Sequence, residues 1–140
     1  MWTKSHSIVT KVATKEQMWK LFTDINNWHV WNNEIEFAKL EGKFEAGNQY
    51  LIQPKNGRAV KVKLLKVVEN KHCLELGKFP LAKMYYDHII EETPNGLKIT
   101  STITMTGLLS ILWVQLVVKK IAATIDSHVK EQIKVASKLL

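Results

Sequence analysis

The chain has 140 residues, 24% charged and 46% hydrophobic, with no low-complexity run or Pro/Ser-rich linker; this excludes a disordered chain and predicts one domain over residues 1–140. The formal net charge of +7 comes almost wholly from lysines spread singly, with Arg58 the sole arginine, so it predicts a basic solvated surface and no nucleic-acid partner. A lone cysteine, Cys73, excludes an internal disulfide and a cysteine-rich zinc site, and the opening residues lack a secretory apolar run, which makes the cytoplasm the expected compartment.

Ser5 to Val12 alternates as a strand, with His6, Ile8 and Val12 on one side. Thr14 and Gln17 then have the spacing of a capping box, opening a helix whose buried stripe is Met18, Leu21, Phe22 and Ile25 and which Asn26 and Asn27 end. A second short helix or turn carries Trp28 and Trp31, whose three-residue spacing places them on the same side. Strands follow, punctuated by Gly42, Gly47, Asn70-Lys71 and Pro80, and by Asn56-Gly57 and Asn95-Gly96, the short-range signature of a hairpin. Val60, Val62, Leu64 and Val68 share one strand face against Lys61 and Lys63. Leu97, Ile99, Ile103 and Met105 likewise oppose Lys98, Thr100, Thr102 and Thr104, so one face of the sheet is dry.

From Leu108 to Leu140 the spacing predicts one long helix. Its stripe is Leu109, Leu112, Trp113, Leu116, Val117, Ile121, Ile125, Val129, Ile133, Ala136 and Leu140, with Lys119, Lys120, Lys130, Lys134 and Lys138 outside it. The apolar run Leu108 to Val118 is well short of the roughly 20 residues that span a bilayer, so no transmembrane segment is expected. Strand, two short helices, about six strands and a long helix make an α+β domain, in which a curved antiparallel sheet of about seven strands wraps the C-terminal helix.

The stretch VWNNEIEFAKLEGKFEAGNQY follows the capped helix and Trp28, and precedes strands with His88 near EETPNGLKI, then Gly107 and the terminal helix. In these parts the chain resembles the START-like, Bet v 1-like superfamily (SRPBCC), and within it the bacterial polyketide cyclase/dehydrase group. The resemblance covers almost the whole chain and rests most on the Trp28-x-x-Trp31 turn, the Phe44-to-Gly47 turn and Gly107 before the last helix. Two scaffold positions depart from the usual pattern: Gly96-Leu97 where Gly-Thr is frequent, and Gly107-Leu108-Leu109 where Gly-Pro-Leu is common. The resemblance implies a helix-grip fold enclosing a cavity, and it implies no particular reaction, because lipid and hormone carriers, cyclases and activity modulators share the fold.

With that cavity as an expectation, the strand Met84 to Ile90 draws attention. Period two puts Met84, Tyr86, His88 and Ile90 on one face, setting a phenol and an imidazole in an apolar row. They read either as pocket-lining groups or as half-buried core residues bonded to neighbours. Asp87 cannot form a dyad with His88, since adjacent strand residues point to opposite faces, whereas Thr124 and His128 at i, i+4 share a helix face. The five histidines have no metal spacing and the six glycines form no phosphate loop, so neither a metal nor a cofactor is expected.

Trp113, near the start of the last helix, reads as a gate, a pocket wall or a dimer contact. With Leu108, Ile111 and Val114 filling other sides of that helix, its apolar start calls for a cover: loops, a second subunit in a homodimer, or a membrane surface. The resulting expectation is a domain that binds a small, largely apolar molecule, lipid- or polyketide-like, between sheet and C-terminal helix. Its lining is expected to comprise Trp31, Tyr50, Leu64, Met84, Tyr86, His88, Ile99, Ile103, Trp113, Leu116 and Val117. Ile52 shares the side of Tyr50, and Leu51 faces away. An enzyme in which His88 or Tyr86 moves a proton, and a protein- or ribosome-interaction module, are the alternatives.

Overall fold

The computed structural model describes residues 1–139; Leu140, the last member of the expected helical stripe, lies outside the described residues. The first strand, β1 (Trp2–Thr10), starts earlier than its alternation suggests and stops before Val12, which is exposed. Hydroxyls account for the early start: Thr3, Ser5 and Ser7 bond Thr104, Thr102 and Thr100 of the last strand at 2.8, 2.7 and 3.0 Å, a ladder of cross-strand pairs. Helix α1 (Lys15–Thr23) opens with the expected capping box. The Gln17 amide donates to Thr14 Oγ1 at 3.1 Å, and the Thr14 amide to Gln17 Oε1 at 2.9 Å. The Gln17 side-chain nitrogen also donates to the Leu139 carbonyl at 2.9 Å, fastening this helix to the far end of the chain. A turn of 3-10 helix (Ile25–Asn27) leads into α2 (Trp28–Trp31).

Six further strands follow: β2 (Ile35–Leu40), β3 (Gln49–Pro54), β4 (Val60–Val68), β5 (His72–Phe79), β6 (Ala82–Thr93) and β7 (Gly96–Thr106). They form one antiparallel seven-stranded sheet in the order β1-β7-β6-β5-β4-β3-β2, with both Asn-Gly hairpins in place. The first two strands are therefore the two edges, and the chain passes between them through α1 and α2. Register breaks between Ile35 and Phe37 in β2, and between Leu64 and Lys66 in β4, are bulges of the kind that bend a sheet.

The C-terminal segment is helical as expected, but a π-turn and a break at Thr124 interrupt its regular winding. It is α3 (Ser110–Trp113), a π-turn (Val114–Val118), α4 (Lys119–Ala123) and α5 (Ile125–Ala136). At the α4–α5 junction, Thr124 turns its own hydroxyl back onto the Ile121 carbonyl at 2.9 Å. The buried residues are Ser110, Val114, Val118, Ala122, Ile125, Val129, Ile133 and Ala136, whereas Leu112 and Leu116 of the expected stripe face solvent. From Ile125 onward the expected stripe and the buried face agree; upstream they diverge, where a wider turn changes which residues face inward. No helix among the described residues is long and apolar enough to cross a membrane.

The corner between β7 and α3 depends on Gly107. Its φ of +108° suits glycine, and a Cβ there would stand 2.7 Å from the Leu81 carbonyl oxygen and 2.8 Å from Ala82 Cα. Leu109 N–H donates to that same Leu81 carbonyl at 3.0 Å, so the start of the C-terminal segment sits directly on the β5–β6 turn.

Candidate functional site: a cavity with a polar floor

The sheet's concave face and the helices enclose a cavity of about 360 Å³, within the range of small-molecule sites. Trp28 and Trp31 of α2 form one side, and Tyr50, Ile52, Val60 and Val62 of β3 and β4 another. The floor is β5 and β6, while Val117, Ile121, Thr124, Ile125, His128 and Gln132 descend from the C-terminal segment.

Strand register builds that floor. Cys73 lies opposite His88, Glu75 opposite Tyr86 and Gly77 opposite Met84, and all six face the cavity because side chains of one face recur every second residue. Glu75 is only 8% exposed, which is costly for an acid unless polar groups meet it. His88 Nε2 stands 3.6 Å from Glu75 Oε2, and the Cys73 thiol points at Oε1 from 3.9 Å. The Tyr86 ring stacks on His88 with centroids 4.2 Å apart, and Tyr50 meets Trp28 edge-on at 5.4 Å.

Burial, and after it the charge of Glu75, pushes the Tyr50 hydroxyl well above its ordinary pKa; the same two causes raise the Tyr86 phenol and the Cys73 thiol. These shifts favour the protonated form of all three, the form that donates a hydrogen bond. A carboxylate amid protonated donors and one imidazole presents acceptor capacity to whatever enters.

A second polar group stands nearer α2 and α5. Trp31 packs against the His128 ring at 6.0 Å, and Asn32, Glu34 and Gln132 complete the wall. Burial lowers the His128 pKa; Glu34 opposes the shift and His88 adds to it. Among the described residues no three His, Cys, Asp or Glu side chains are placed to hold a metal ion.

Of the residues expected from sequence, Trp31, Tyr50, Met84, Tyr86, His88 and Val117 line the cavity, as does Ile52. Five do not. Leu64, Ile99 and Ile103 occupy the same concave face but are packed solid in the core with Met105, Val118 and Val129. Trp113 is turned aside: its indole N–H donates to the Pro80 carbonyl at 2.9 Å and its ring stacks on Phe79 at 5.0 Å, leaving Phe79 as the wall. Leu116 is exposed, on the outer side of the π-turn. Asp87 pairs with His72 on the opposite face of the sheet and not with His88, as strand geometry requires.

Glu75 is not singled out by the sequence pattern. In β5 it sits between Leu74 and Leu76, so alternation alone assigns the leucines to the dry face and the acid to water. The signal that could have found it is register: the residue opposite Tyr86, on the face of His88, has to be Glu75.

No curated protein matches the chain. Among solved structures, hypothetical protein jhp0584 of Helicobacter pylori superposes with a TM-score of 0.79 at 9% identity, over 96% of this chain and 88% of that one. A START superfamily protein of Mycobacterium smegmatis gives 0.68 at 16% identity, covering 94% and 93%. The di-domain aromatase/cyclase StfQ of the steffimycin biosynthetic pathway gives 0.72 at 10% identity, over 96% of this chain and 49% of that one. At these identities the likeness is one of fold, a START-like helix grip. Residues 1–133 match the model of the family described as polyketide cyclase/dehydrase and lipid transport, and the chain belongs to that family.

Proposed function

We propose that this domain binds a small, largely apolar molecule carrying a hydrogen-bond donor, a hydroxyl or an amine, at the end that meets Glu75. One observation carries the reading: a cavity walled mainly by apolar and aromatic side chains has a buried carboxylate in its floor. Apolar walls supply affinity, at roughly 25 cal/mol per Å² of apolar surface removed from water, without any catalytic group. The carboxylate supplies orientation, because an ionised acid accepts hydrogen bonds and repels another anion.

Native mass spectrometry of the gently purified protein, compared with the denatured chain, is the first test of occupancy. Titration with an alcohol, an amine and a carboxylic acid of equal chain length then tests the floor. The alcohol and amine are expected to bind about tenfold tighter than the acid, a difference of about 1.4 kcal/mol. An interior that takes up no apolar probe of any head group overturns the reading.

The juxtaposition of His88 and Glu75 favours a second reading, in which the imidazole moves a proton on the bound molecule as a general base oriented by the acid. Turnover that disappears in His88→Ala while ligand affinity stays would establish it. Turnover unchanged in that variant removes His88 from the role.

A further inference from the structure

Five large apolar side chains are exposed at one end of the molecule: Leu81 by 63%, Leu108 by 85%, Ile111 by 75%, Leu112 by 48% and Leu116 by 55%. The backbone gathers them. Gly107 lies against the Leu81 carbonyl, Leu109 N–H donates to it, and the Trp113 indole donates to Pro80, so the β5–β6 turn and the start of the C-terminal segment form one surface.

Leu81 is held there against its own preference. It follows Pro80 in a two-residue turn with φ of +56°, a left-handed conformation that glycine adopts freely and a leucine does not. The chain thus displays an apolar side chain to solvent at a position where glycine would relieve strain, and strained backbone of this kind clusters at functional sites. Charge singles out the same end. Segments 76–86 and 104–125 contain no Asp or Glu, and their lysines, Lys78, Lys83, Lys119 and Lys120, are all exposed. Lys78 and Lys83 pair across the hairpin beside the Leu81 turn, and Lys119 and Lys120 follow the π-turn that carries Leu116.

We infer that this end docks on the surface of an anionic lipid bilayer. The five side chains enter among the acyl chains just below the head groups, and the four lysines meet the lipid phosphates and carboxylates. Apolar residues flanked by lysines are the composition of interfacial binding, in which the hydrophobic and electrostatic contributions add. A second copy of the chain fits less well, because it would bring four more lysines against these four. Phe79, Met84 and Val117, on the inner side of the same segments, are cavity walls, so a bilayer docked here lies next to the site proposed above. Docking itself stands on the outer surface alone and does not require the cavity to be occupied.

Flotation with vesicles of phosphatidylcholine, with and without phosphatidylserine as a minority component, tests the inference on the whole chain. The protein is expected to float with the phosphatidylserine vesicles and to be released by salt. Leu108→Gln combined with Ile111→Gln, both at exposed positions, is expected to weaken binding by at least about tenfold, since each native side chain would otherwise be buried in lipid. Leu81→Gly gives a separate readout: the melting temperature rises as the turn relaxes, while vesicle binding weakens. Equal binding by the Leu108/Ile111 variant overturns the inference, reducing it to non-specific attraction by a basic protein. Absence of binding, together with a concentration-dependent dimer that the same variant abolishes, overturns it in favour of a self-association interface. A melting temperature that falls in Leu81→Gly shows that the leucine is there for packing and also counts against it.

Discussion

Glu75 and His88 belong to neighbouring strands yet share one face, with Oε2 and Nε2 3.6 Å apart, beyond the length of a good hydrogen bond. Neither group saturates the other, and the carboxylate keeps acceptor capacity toward the cavity. Glu75→Gln preserves shape and removes the charge. Burying a carboxylate is costly even where the Tyr50 hydroxyl, the Cys73 thiol and His88 meet it, so the variant is expected to be more stable by about 1 kcal/mol or more, while its affinity for an apolar alcohol or amine falls about tenfold. Thermal melts and ligand titration on one preparation check both signs. A loss of stability would identify Glu75 as a structural member of the core.

Gly77 lies opposite Met84 in the middle of the floor, and a Cβ built on it meets nothing nearer than Met84 Cε at 3.8 Å. Glycine inside a strand forgoes packing and backbone order, and it commonly marks close approach by a ligand. Gly77→Val is expected to stabilise the fold by about 0.5–1 kcal/mol. The added methyls project into the cavity, so binding of the largest tolerated ligands should be lost first. Ligand binding against chain length, in both proteins, reads this directly.

His128 introduces a pH dependence of definite sign. Burial, with a smaller contribution from His88 and opposition from Glu34, lowers its pKa in the folded protein, so the unfolded chain takes up this proton more readily. Its contribution is neutral above the unfolded value of about 6.5, becomes destabilising as pH falls through that value, and is complete below the depressed folded value. Denaturant midpoints between pH 8 and pH 5 should therefore decline, and the decline should be shallower in His128→Gln. Parallel curves for the two proteins would place the acid sensitivity on other groups.

Cys73 should be inert. Burial, and after it the Glu75 and Asp87 charges, pushes its thiol pKa up, and the residue is buried in the cavity floor. Iodoacetamide at neutral pH is expected to leave the folded protein unmodified and to alkylate it fully in denaturant, as intact mass will show. Rapid modification of the native state would mean that the floor opens to solvent.

Much of the architecture was legible because it rests on local rules. Thr14 and Gln17 announce a helix start by their hydrogen bonds, Asn56-Gly57 and Asn95-Gly96 announce hairpins, and lysine–valine alternation separates the two faces of β4. The cavity was only half legible, for a physical reason. Periodicity assigns a side chain to a face, but Leu64 and Val62 share that face, and only the helices above decide that Leu64 is packed solid while Val62 borders open space. Glu75 was masked by the leucines on either side of it. The π-turn left no trace because Val114, Leu116, Val117 and Val118 are all apolar, so any of several phases reads as a buried stripe.

That turn works as a phase shifter. An α-helix advances about 100° per residue, and a wider turn over Val114–Val118 sets everything upstream back by most of one residue relative to α5. Counting back from Val118 with ordinary α-helical steps brings Ile111 to the inward side; with the wider turn that side is taken by Ser110, which is buried, and Ile111 is carried out into solvent. One extra residue of winding thus exchanges a hydroxyl for an isoleucine at the molecular surface. Deleting a single residue from Val114–Val118 should reverse the exchange, drawing Ile111 under the sheet and giving that end of the molecule the polarity of an ordinary protein surface.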